Sequence, residues 1–279
     1  MSSSTTIIRE GWAVRLVIAL ALVFMFAPVV TMIVFSFNDP GGRFNYELGT
    51  FSLEAWRSPF AVPQLGVALG NSLIVAAVSA VLAALLGTPV GFALGRRKFV
   101  GGGAVSGLTF IPLATPEVVL GAGMLILFVA TATIPFLKTI TGGLFYPLGF
   151  PSVIAAHTTL GLSFVIINVR SRVIGAGVTL EQAARDLGAS GFTVFRTIWL
   201  PIILPGILSG ALLTFAISLD DFVLTNFTAG GTTMFPTWLY GLMRRELPPQ
   251  IAVVGTLIFL VSLGLVAISA KISGRQSVN

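Results

Sequence analysis

Three carboxylates stand where a soluble protein would not put them. Glu117, Asp220 and Asp221 lie in or at the edge of long apolar runs, while Glu10, Asp39, Glu47, Glu54, Glu181, Asp186 and Glu246 fall in polar flanks and loops. A lone acid in hydrocarbon costs about 2.5–3.5 kcal/mol on insertion scales, so each must face a cavity or a partner. Adjacent residues point about 100° apart on a helix, so Asp220 and Asp221 cannot both face lipid comfortably. Acids in such a place attract a cation, and Phe222, Phe227 and Trp238 are candidate walls offering cation–π contact. A purely structural reading stands beside this one. The Asp pair would cap the outer end of a span or bond a partner subunit. Glu117, which follows Thr115-Pro116, would open a half-helix whose dipole favours an acid.

Other chemistries find no support. The chain contains no G-x-x-x-x-G-K-[ST] phosphate loop, no H-E-x-x-H and no Ser/His/Asp arrangement in a soluble context. It has no cysteine, and His157 is its only histidine, so a metal site is not expected and His157 reads as a helix-packing residue. Gly121 with Gly123, and Gly206 with Gly210, read as sites of close helix approach rather than of ligand binding. The chain is expected not to be an enzyme, and to take energy from another polypeptide.

The elements that must hold these acids are membrane helices. Apolar residues make up 55% of the chain, charged residues only 9%, and mean hydropathy is +0.98. Soluble domains carry about 25% charged residues. The net charge of +6 fits basic cytoplasmic loops better than nucleic-acid binding. A helix needs about 20 apolar residues to cross the hydrocarbon. The expected spans are Leu16–Phe37, Leu69–Leu94, Val105–Phe128, Val153–Val169, Ile198–Thr225 and Ile251–Ala270. The first is too long for a signal-peptide core and reads as retained. With both termini cytoplasmic, the outer loops hold Arg43, Arg57, Lys138, Arg244 and Arg245, and the other 11 of the 16 Lys and Arg lie inside. These include Arg9, Arg15, Arg97, Lys98, Lys271 and Arg275, and the asymmetry obeys the positive-inside rule. The outer segments 38–68, 133–150 and 226–250, rich in Gly, Pro and aromatics, read as ordered loops or interfacial helices.

One polar segment interrupts the apolar pattern and falls on the cytoplasmic side. Thr179 with Gln182 matches a capping box. Leu180, Ala183, Ala184 and Leu187 form an apolar stripe at helical spacing, and Glu181 pairs with Arg185 at i, i+4 on another face. Gly188 suits a left-handed helix end, and Ser190 can cap a second short helix. Pro201 and Pro205 would kink the following span or mark its start. The result is a helix–turn–helix elbow. Two readings stand: its small Ala face inserts into a groove on a partner, or it lies on lipid. Against the second, it lacks a Lys/Arg-rich polar face.

The elbow resembles the EAA loop of ABC importer permeases (the MetI-like superfamily). Gln182-Ala183-Ala184 holds the triplet, Gly188 the glycine, and Ile198-Trp199-Leu200-Pro201 the ending. Gln182 departs from the usual Glu, while Glu181 lies one position earlier. Further anchors are Asn71-Ser72-Leu73, the Gly87/Pro89 region and Ser218-Leu219-Asp220-Asp221-Phe222, the last suggestive of the spermidine/putrescine importers. The resemblance implies an all-α membrane protein with six transmembrane helices, both termini cytoplasmic, and a short cytoplasmic coupling-helix elbow. Residues 1–65 would form the N-terminal tail, first span and outer loop. Residues 66–270 would form the permease core with coupling loop 179–197, and 271–279 a cytoplasmic tail. It also implies a multi-pass protein of the bacterial cytoplasmic membrane, paired with a second permease, two ATPase subunits that bind ATP and Mg, and an extracytoplasmic substrate-binding protein. On that reading Thr179, Leu180, Glu181, Gln182, Ala183, Ala184, Leu187 and Gly188 couple to the ATPase. Asp220, Asp221, Glu117, Phe222, Phe227 and Trp238 line a polyamine pathway. Sugars, thiamine and ferric iron remain alternative solutes within the superfamily, and the acid pair argues against an anion. An ion-coupled transporter using Asp220 and Asp221 as a proton or sodium site is the rival from another class. It would show inverted internal halves, which the sequence does not display. A non-transporting scaffold is the third reading.

Overall fold

A computed structural model describes residues 12–96, 99–177, 179–260 and 263. Arg9, Glu10, Arg97, Lys98, Lys271, Arg275, the end of the sixth expected span and the 271–279 tail lie outside the described residues. In chain order the helices are α1 (Trp12–Phe35), α2 (Glu54–Arg57), α3 (Leu65–Arg96), α4 (Gly102–Ala114), α5 (Glu117–Thr133), α6 (Pro135–Thr141) and α7 (Phe150–Ala176). The elbow follows as α8 (Thr179–Asp186) and α9 (Gly191–Val194), then α10 (Leu200–Asp220), α11 (Val223–Thr228), α12 (Phe235–Met243) and α13 (Pro249–Leu260). Between α1 and α2, β1 (Asn38–Asp39) pairs antiparallel with β2 (Thr50–Phe51).

Among the described residues, four helical stretches are long and apolar enough to span a membrane: Val14–Phe35, Leu65–Arg96, Phe150–Ala176 and Gly191–Asp220. The third expected span is not one straight helix. α4 and α5 meet at a bend of 107°. Pro116 has no N–H to continue the ladder, and a residue before proline is driven to extended backbone. Thr115 adopts that conformation, with ψ 130°. The fifth span also departs from its expected limits. It begins earlier, continuous from Gly191 through a wide π turn at Phe195–Trp199, and ends at Asp220 rather than Thr225.

Contacts divide the chain into two compact units, one of residues up to Pro63 with those from Leu242 on, the other Gln64–Gly241. In the first, Asn38 and Asn45 organise the hairpin. The Asn38 amide donates to the Asn45 side-chain oxygen and to the Glu47 carbonyl, and Asn45 donates to the Phe35 carbonyl. Phe37 stacks between Phe51 and Trp56. This segment is thus an ordered loop, one of the two forms its composition implied.

The second unit is built around α7, packed against α3 and α10. Small residues set the spacing. A Cβ added at Gly87, Gly91 or Gly95 of α3 would strike Val165, Ile166 with Val169, or Val173 of α7, respectively. On the other side, a Cβ at Gly210 would come within 2.6 Å of the Val165 Cα, and one at Gly206 within 3.0 Å of the Asn168 carbonyl oxygen. Gly121 likewise admits the Phe227 ring, whereas Gly123 has nothing within 4 Å. Gly210→Ala is therefore expected to lower the thermal midpoint of the purified protein by overpacking, a cost of about 1–3 kcal/mol. Gly123→Ala shares the same gain in helix propensity, about 1 kcal/mol, and should not lower it. Thermal unfolding of both variants in one detergent checks the contrast.

Candidate functional site

The elbow owes its shape to local capping. α8 ends in a Schellman motif: the Ala189 N–H donates to the Ala184 carbonyl and the Gly188 N–H to the Arg185 carbonyl, with Gly188 left-handed at φ +81°. Ser190 then caps α9, its hydroxyl accepting from the Thr193 N–H at 3.2 Å. Thr179 lies inside the first turn of α8 rather than ahead of it.

The apolar stripe read from spacing divides in two. Leu180, Ala183 and Leu187 face outward with Phe192, and Leu187 is 89% exposed. Ala184 instead packs, with Ala189, on a core of Val173, Val194, Trp199 and Ile203. Glu181 belongs to this inner face and is buried. One carboxylate oxygen accepts from the Arg96 guanidinium and from Arg185 Nε at 3.0 Å; the other accepts from the Trp199 indole N–H at 2.9 Å. Arg96 in turn lies over the rings of Phe92 and Trp199, at 5.5 and 5.8 Å from their centroids. Sequence reasoning placed Glu181 beside Arg185 but missed Arg96, Phe92 and Trp199. The available signal was the spacing of Glu181, Ala184 and Gly188, which puts an acid on the packed side.

Burial alone would raise the Glu181 pKa. The hydrogen bonds from Trp199 and Arg185 and the charge of Arg96 outweigh it, holding the carboxyl below its ordinary 4.5. A depressed folded-state pKa contributes stability above the unfolded value and loses it as pH falls through the folded one. The elbow should therefore stay docked at neutral pH and loosen only below 4.5. Trp199 fluorescence, taken as the difference from Trp199→Phe, should show a transition there that Glu181→Gln abolishes.

The acids gather at a different place in the same unit. Glu117 opens α5 directly after Pro116, and Asp220 closes α10. Asp221 leaves the helix, and its side-chain oxygen accepts from the Leu224 N–H at 2.7 Å, starting α11. α11 packs on α5. These turns bring Glu117, Asp220, Asp221 and Phe222 to one open cavity of about 490 Å³, with Ala216, Ile217 and Val223. Glu117 and Asp220 are exposed to it, whereas Asp221 is buried. Of the Asp pair, Asp221 makes the capping contacts: its backbone N–H donates to the Ile217 carbonyl at the end of α10, and its side chain starts α11.

Phe222 packs on Tyr240, ring centroids 4.8 Å apart. Phe227 is occupied against Gly121 and Trp238 against Phe235, and neither lines this cavity. His157 is a packing residue, as expected: it is buried, with Nδ1 bonded to the Ser218 hydroxyl and Nε2 to that of Thr225. Among the described residues no cluster of three or more metal-ligating side chains occurs. An open cavity lined by two free carboxylates and an aromatic ring suits a cation.

Residues 87–276 match the family described as "binding-protein-dependent transport system inner membrane component". The chain is 32% identical over 255 residues to the spermidine/putrescine transport system permease protein PotC of Haemophilus influenzae, covering 91% of this chain and 93% of the relative. It is 31% identical over 272 residues to the putrescine transport system permease protein PotI of Escherichia coli, covering 95% and 91%. Among solved structures, a bacterial ABC transporter involved in the import of the acidic polysaccharide alginate contains a chain that matches with a TM-score of 0.61 at 14% identity, covering 94% of this chain and 95% of that one. At that identity the likeness speaks for the fold alone. The chain belongs to the family of binding-protein-dependent transport system inner membrane components.

Proposed function

We propose that this chain is one permease subunit of an ATP-driven importer that carries polyamines across the bacterial inner membrane. The observation that carries the substrate class is the cavity where Glu117 and Asp220 stand exposed together, in a chain similar over nearly its whole length to polyamine permeases. Extended, multiply charged cations need anionic groups along their path, and Phe222 supplies an aromatic wall. In this reading Asp221 shapes the path by holding α11, and Phe227 and Trp238 support it from outside the cavity. Six spans with both termini inside would place the elbow in the cytoplasm, as the distribution of Lys and Arg favours. The outward face of Leu180, Ala183, Leu187 and Phe192 would then dock one of two ATPase subunits, which bind ATP and Mg. Gln182, at the usual Glu position and exposed, would meet that partner without charge. A second permease and an extracytoplasmic binding protein complete the assembly, and ATPase closure drives alternating access by rigid-body motion.

Uptake of labelled spermidine and putrescine, beside a labelled sugar, in cells with and without the chain tests the substrate. Loss of polyamine uptake alone is the expected result; loss of sugar uptake alone would reject the substrate class. Asp220→Asn should cut uptake about tenfold, or ~1.4 kcal/mol of transition-state stabilisation, at unchanged expression. Asp221→Ala should also reduce the folded yield, because Leu224 loses its acceptor. Ala183→Arg should release the ATPase during purification; full retention with normal uptake would reject the docking surface.

A further inference from the structure

We propose that the buried Glu181 carboxylate is the joint that makes the elbow, the end of α3 and the start of α10 move as one body. It is a positioning residue for energy coupling and not a contact to the ATPase. This rests on the reading that the elbow docks an ATPase, and it adds where the push goes.

The geometry of the carboxylate carries the proposal. Its donors come from three elements: Arg96 from the last turn of α3, Arg185 from α8, and Trp199 from the π turn that leads into α10. Arg96 is also held between Phe92 and Trp199, and the Phe92 ring meets Trp199 and Phe195 edge-on. Glu181 thus lies at the centre of a closed set of charge-assisted and aromatic contacts. The remaining attachments of α8 are weaker. Ala184 and, past the turn, Ala189 offer only small apolar surfaces, and the chain leaves α8 through Gly188, whose added Cβ would meet nothing within 4 Å. Without the carboxylate, α8 could slide or roll on Ala184. With it, displacing α8 means displacing Arg96 and Trp199, so a push on the outward face reaches α3 and α10 together.

The test uses the assembled complex of both permeases, ATPase and binding protein in liposomes, measuring ATP hydrolysis and labelled spermidine import on the same vesicles. Glu181→Gln removes the charge. Trp199→Phe keeps an aromatic ring beside Arg96 but removes the indole N–H, and it carries the test if Glu181→Gln fails to accumulate. Both variants are expected to retain the ATPase through purification and to hydrolyse ATP. Spermidine imported per ATP should fall about tenfold, the order of losing a charge-assisted hydrogen bond. A merely structural role would lower the amount of assembled complex and leave that ratio unchanged. A wild-type ratio in both variants overturns the joint while leaving the docking surface intact. Ala183→Arg is measured in parallel: if it keeps both the ATPase and the wild-type ratio, the docking reading itself is overturned.

Discussion

Helices in lipid gain little from burying apolar surface, because hydrocarbon surrounds them whether they associate or not. Their association rests on dispersion, which requires close approach, and on a few interhelical hydrogen bonds. The contact of α7 with α3 meets that requirement with a repeating pattern. Gly87, Gly91 and Gly95 recur every four residues, and opposite them stand Val165, Val169 and Val173 at the same interval. Each glycine opens a notch, and each valine enters it with a side chain already restricted to essentially one helical rotamer. The contact therefore costs little entropy and fixes the register of the two helices. Gly206 and Gly210 do the same for α10 on another side of α7. The register matters beyond the zipper itself: Arg96 follows Gly95, so the packing that seats Gly95 on Val173 also delivers the guanidinium to Glu181.

The buried acids and the histidine of this unit are hydrogen-bonded, and the acids left open are the ones available for chemistry. His157 satisfies both ring nitrogens with hydroxyls from α10 and α11. Asp221 is buried and occupied by the Leu224 N–H. Glu181 is buried and accepts from three donors. Glu117 and Asp220 differ, since both are exposed to an open cavity. Two carboxylates held together are costly in a membrane protein. The cost is tolerable where water enters, and it keeps their field available to an arriving cation.

How much of this was legible in the sequence depended on whether the signal was local. Proline and glycine acted through their own backbone and Ser190 on the N–H three residues on, so the break before Glu117, the left-handed Gly188 and the Ser190 cap were all visible. The long apolar helices were visible too, although the size of the 107° bend within the third expected span was not. Pairing over distance was not visible. Nothing around position 96 marks Arg96 as the partner of an acid 85 residues later. Spacing alone gave Leu180, Ala183, Ala184 and Leu187 a common face without saying which edge of it is covered. The aromatics failed for the same reason. Phe227 and Trp238 lie near the acids in sequence, but Gly121 and Phe235 claim their rings. Charge and hydropathy say what a residue requires, whereas its neighbours are settled by the packing of α7.

The two candidate regions share one element. α10 begins beside Trp199 at the elbow and ends at Asp220 in the acid cavity. Its 21 residues make it about 30 Å long at 1.5 Å per residue. A stiff rod of that length turns a tilt at one end into a displacement at the other. α10 is not uniformly stiff, however. The π turn at Phe195–Trp199 and the prolines at 201 and 205 lie together near the elbow end, where proline removes ladder hydrogen bonds. From Gly206 to Asp220 the helix has no such break and lies against α7 through Gly206 and Gly210. Compliance is thus concentrated next to the joint, and rigidity next to the acids. If α10 bends during transport, the bend is expected at the weak segment, and the packed segment would carry Asp220 as one piece.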